Sequence, residues 1–90
     1  MPDLLPDVKR YLKITWDSDD DMLSGIIKRG ESRLCEIAGA ALNFLADDLP
    51  KSLLLDYSRY AYSHALEVFE KNFQAELLEL NLRERLWDED

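Results

Sequence analysis

Cysteine is almost absent from this chain of 90 residues: Cys35 stands alone. No disulfide within the chain and no cysteine-built metal cluster can therefore form. A lone thiol beside an apolar helix stripe behaves as a small hydrophobe, and Cys35 is read that way. Histidine is as scarce. His64 lies among aromatics and alanines in an expected helix, with no nucleophile or paired carboxylate arranged around it, so its expected role is structural. No glycine-rich phosphate loop, HExxH or CxxC occurs. There is no apolar run of 18 residues and no basic-then-apolar leader, so the expectation is an intracellular protein that neither spans a membrane nor carries a signal peptide. Positive charge is also in short supply. Eleven Lys and Arg stand against 19 Asp and Glu, a formal charge of -8. Such a surface repels phosphates, which argues against tight or sequence-specific binding of nucleic acid.

What the chain does have is apolar spacing of three and four. Between Trp16 and Gly39, Met22, Leu23, Ile26, Ile27, Leu34, Ile37 and Ala38 make one stripe along a helix. Ser18 is the expected N-cap, and Asp19, Asp20 and Asp21 occupy the first turn, where the helix dipole favours carboxylates. Gly39 is the stop signal. Asp17, Asp19 and Asp21 share the odd spacing of a calcium loop. Met22, however, stands where that loop needs glycine, and Lys28 where it needs glutamate, so capping and a solvated face explain the run.

The remaining elements follow the same period. A short helix over 6–13 opens on Pro6 and turns Leu5, Val8, Tyr11 and Leu12 inward. Residues 40–49 form a connector whose Leu42, Phe44 and Leu45 cover an end of the core. A third helix is predicted over 50–71, with Leu54, Tyr57, Ala61, Ala65 and Val68 as its stripe, then a break at Asn72 and a last helix over 73–86. The expected fold is all-α: one domain, a small bundle of a short N-terminal helix, two long antiparallel helices (18–38 and 50–71) and a C-terminal helix. Gly30 lies on the buried stripe. Together with the small residues Ala61 and Ala65 it marks the expected helix crossing.

A chain this short buries only ~60% of its unfolded surface, so association is a natural way to bury more. The last helix is more apolar than a peripheral helix in so small a domain needs. Leu77, Leu80, Leu82, Leu86 and Trp87 are accordingly the candidate partner interface. No catalytic, cofactor or metal site emerges, so the expected protein is not an enzyme.

Four stretches then matter together: VKRYLKI at 8–14, DSDDD at 17–21, MLSGIIKRGESRLCEIAG at 22–39 and LLLDYSRYAYSHALEVFEKNFQAELLELNL at 53–82. In this order and at these lengths they cover most of the chain and resemble the small head–tail connector proteins of tailed phages, the head-completion adaptors. The resemblance implies an all-α adaptor without enzymatic activity or cofactor. It implies a homo-oligomeric ring, dodecameric in the virion, with a monomer as one form of the free protein. Its implied partners are the portal protein above it and a downstream head-completion or tail protein below. Its implied place is the head–tail junction of the virion, after assembly in the host cytoplasm. Carboxylates on a channel wall would let DNA slide, since cations would grip its phosphates; Asp17, Asp19, Asp20 and Asp21 are the candidate channel-facing set. The competing reading is a small intracellular all-α interaction module or regulator that binds one protein partner.

Overall fold

Apolar period and chain-reversal chemistry together dictate where the helices lie. The computed structural model describes residues 4–46 and 48–88, the side chains of 85–88 excepted. It contains α1 (Leu5–Leu12), α2 (Asp20–Ala38), α3 (Leu49–Tyr62), α4 (Leu66–Asn72) and α5 (Gln74–Asp88), with no strand among the described residues. The chain is a small all-α bundle.

Three of the helices end in the same way. Past α2, Gly39 takes a left-handed conformation (φ 73°), and the N–H groups of Gly39 and Ala40 donate to the Cys35 carbonyl. Past α1, Lys13 does so at φ 60°: its N–H donates to Arg10 O, and that of Ile14 to Lys9 O. Past α3, His64 does so at φ 58°, with its N–H on Ala61 O and that of Ala65 on Tyr60 O. These paired bonds satisfy carbonyls that the helix end would otherwise leave open.

The third reversal corrects the expected helix over 50–71, which is two helices. Its cause is aromatic packing. In an unbroken helix Tyr57 and Phe69, 12 residues apart, would sit about 18 Å apart along the axis. The turn at 63–65 instead brings their ring centroids to 5.5 Å, edge to face. Phe69 also meets Tyr60 at 5.7 Å and stacks on Phe73 at 5.1 Å. His64 is accordingly an exposed turn residue rather than a helical one, and Val68 of the expected stripe faces solvent.

The start of α2 also differs. The residue before the helix is Asp19, not Ser18, and its side chain makes no capping bond. Its Oδ2 instead accepts from Trp16 Nε1 at 2.9 Å and from Tyr62 Oη at 2.8 Å. Asp48 does cap α3, accepting from Leu49 N at 2.8 Å.

α2 and α3 run antiparallel: Tyr62, at the end of α3, reaches Asp19 at the start of α2, while Gly30 in mid-α2 rests on Leu54 and Tyr57 in mid-α3. Gly30 permits this approach because a Cβ there would lie 2.7 Å from both Leu54 Cδ1 and Tyr57 Cδ1. The expected small partners do not make the crossing. Ala61 is one turn further along α3, and Ala65 lies beyond the helix end. Leu23, Ile26, Ile27 and Leu34 from α2 join Leu53 and Leu54 in the core, with Val8, Phe69 and Leu80 closing it from the other helices. Each such side chain contributes ~1.5–3 kcal/mol on burial. Phe44 from the connector is buried, whereas Leu45 is exposed.

α5 returns along α3 in the opposite sense, with Phe73 edge-on to Tyr60 and Arg83 reaching Asp48 at 2.8 Å. Asn81 Nδ2 donates at 2.9 Å to Ile37 O, another carbonyl in the last turn of α2. α1 is fixed at its two ends by Lys51 to Asp7 (3.3 Å) and Tyr11 Oη to Asp56 (2.6 Å).

The two glycines of α2 should respond oppositely to alanine. Gly30→Ala should lower stability by about 1–3 kcal/mol, because overpacking at Leu54 and Tyr57 outweighs the helix-propensity gain. Gly25→Ala should raise that of the dilute single chain by up to ~1 kcal/mol, since within the bundle an added Cβ there has room. Denaturant unfolding of both variants beside the parent chain checks the pair of signs.

Candidate functional site

The candidate site is the outward surface of α5. α5 carries apolar residues around much of its circumference, and its packing divides them. Leu77 and Leu80 face inward, with relative exposures of 7% and 1%, so these two belong to the core and not to a free interface. The reason is their phase: α2 and α3 receive the face that contains them. Leu78 and Leu82, four residues apart and therefore on one stripe, point outward at 59% and 47%. Leu82 thus keeps its expected exposure, and Leu78 is an exposed leucine that the expected interface omitted. The expected contributions of Leu86 and Trp87 lie outside the described side chains.

Leu78 also forms one wall of an open groove with Leu77 and Asn81 of α5, Ile37 of α2, and Glu70 and Lys71 of α4. The lining combines apolar Ile37, Leu77 and Leu78 with charged Glu70 and Lys71, a mixture that protein-binding surfaces share.

Its α4 wall is held by Arg33. The guanidinium donates from Nε and Nη2 to the two carboxylate oxygens of Glu70, each at 2.8 Å, and from Nη1 to Glu36. This two-point contact ties α4 to α2 across a gap of 37 residues in sequence. The bond from Arg33 holds the Glu70 carboxyl below its ordinary value.

The four aspartates of the expected channel set separate in the structure. Asp17 and Asp20 both pair with Lys9 Nζ, at 2.7 and 2.8 Å, which fastens α1 to the start of α2. Asp19 is occupied by Trp16 and Tyr62, and their bonds, that of Trp16 first, hold its carboxyl below its ordinary pKa. Asp21 is exposed. Asp17 still shows 87% of its side chain to solvent. Cys35 is partly buried against the core.

Among the described residues no group of three or more His, Cys, Asp or Glu is arranged to hold a metal ion, and no helix is long and apolar enough to cross a membrane. Comparison with protein-family models, curated proteins and solved structures gives no match to this chain.

The Arg33–Glu70 contact sets a pH dependence. Because the folded carboxyl is the stronger acid, the unfolded chain binds the proton first as pH falls. The contribution is complete above the ordinary value of 4.5 and is lost as pH falls through the lowered one. Both side chains are about half exposed, so solvent screening holds it under ~1 kcal/mol. Glu70→Gln should therefore reduce stability near neutral pH by less than ~1 kcal/mol and flatten the acid limb of the stability curve. Thermal unfolding of parent and variant from neutral to acid pH measures both effects.

Proposed function

We propose that this chain is a non-enzymatic assembly protein, a head–tail connector of a tailed phage that forms a ring under the portal and docks the next head-completion or tail protein. The observation that carries the reading is the outward stripe of Leu78 and Leu82 beside a groove whose walls are fixed by Arg33 and Asn81. Leu78 and Leu82, already about half covered, gain roughly half of the ~1.5–3 kcal/mol of a full burial each when a partner covers them. The order and lengths of the segments at 8–14, 17–39 and 53–82, which resemble those of the connector adaptors, support the portal as the partner. The surplus of acid suits a wall past which DNA moves, with Asp17 the most open of the four aspartates.

The α5 stripe is the portal contact in this reading. Leu78→Asp combined with Leu82→Asp should leave helicity by circular dichroism intact and abolish co-sedimentation with the portal protein of the same genome. Portal binding retained at the parent level would remove α5 from the contact. A tight one-to-one complex with some other protein, and none with the portal, would favour the interaction-module reading instead.

A further inference from the structure

The packing of the bundle accounts for one of the two glycines in α2 and not for the other. Gly30 is wedged against Leu54 and Tyr57. A Cβ at Gly25 would meet nothing nearer than Arg29 Nη1 at 3.4 Å, an ordinary contact with the movable end of a long side chain. Gly25 is nonetheless in mid-helix, where glycine costs about 1 kcal/mol against alanine. The face around it, with Asp21, Met22, Lys28, Arg29 and Ser32, is exposed.

The charges on that face are arranged antisymmetrically about Gly25. Asp21 and Arg29 lie four residues to either side, about 6 Å along the axis and about 40° to opposite sides of it. None of Asp21, Lys28 and Arg29 has a hydrogen bond or ion pair with another described residue. A two-fold axis beside Gly25 and normal to the row Asp21, Gly25, Arg29, with the two helices crossing at about 50° so that their i±4 rows coincide, lays that row of one copy along the same row of a second copy. Asp21 then faces the partner's Arg29, twice over by symmetry. Glycine at the centre lets the two backbones approach. Charge also selects this face. On a chain of net charge -8 most surfaces repel a second copy, but here two cations accompany one aspartate.

We propose that the free protein pairs with a second copy of itself through the outer face of α2, the two helices antiparallel and crossing at Gly25. The pairing uses no residue of α5 and stands or falls independently of the portal contact.

Charge reversal on the full chain tests it by sedimentation over a concentration series. Asp21→Arg and Arg29→Asp, each alone, set like charges opposite one another and should weaken the dimer by about tenfold or more. Mixing the two variants, or combining both changes in one chain, restores opposite charges and should recover the dimer to within about threefold. In a Cys35→Ser background, Gly25→Cys should form a disulfide-linked dimer under mild oxidation, because a residue beside the two-fold axis meets its own copy. A parent chain that is monomeric throughout, a dimer indifferent to either reversal, a mixture that does not recover, or an unlinked Gly25→Cys chain would each overturn the proposal.

Discussion

The contact of Gly30 with Leu54 and Tyr57 is the constraint from which the rest of the bundle follows. Without a side chain at position 30, α2 and α3 come close enough to share one layer of core. That approach fixes Tyr57, whose far edge then receives Phe69, and Phe69 in turn orders Tyr60 and Phe73. The chain must reverse at His64 to deliver Phe69 to that place. α4 therefore owes its position to a glycine on a different helix, and Arg33 secures α4 with a charge-assisted contact at the rim.

Most of the helices were legible in the sequence because their signals are local. The stripe from Leu23 to Ala38, Gly39 as its stop and Pro6 and Pro50 as openers all act within one or two turns, and α1 and α2 fall within two residues of expectation. The break at 63–65 was not legible. It needs a left-handed residue, and histidine carries only a weak signal for that conformation compared with glycine. Its cause is a tertiary contact between Tyr57 and Phe69, which no helical period displays. Ser18 failed as a cap for a related reason. A long-range donor, the Tyr62 hydroxyl, joins the nearby Trp16 indole in claiming Asp19, and the chain enters α2 one residue later.

The candidate surface was half legible. Excess leucine on the last helix is visible in the sequence, but which leucines face out is not. Apolar residues surround so much of α5 that periodicity leaves its rotation open. Packing against α2 and α3 settles that rotation, burying Leu77 and Leu80 and exposing Leu78 and Leu82. The aspartates teach the same point for charge. Four acids within five residues read as a solvated set, whereas Lys9, Trp16 and Tyr62 engage three of them in holding α1, α2 and α3 together.

A thin bundle, 45 × 30 × 17 Å in its Cα extents, keeps little of itself away from solvent and gains most from covering its faces with other proteins. The function proposed for it is assembly, with α5 turned toward the portal. Mass measurement of the intact complex formed by the full chain and the portal protein of the same genome tests that claim most directly. The account predicts a closed complex with many copies of the chain, their number fixed by the symmetry of the portal ring. A portal that emerges with no copy bound, or with a single one, would contradict it.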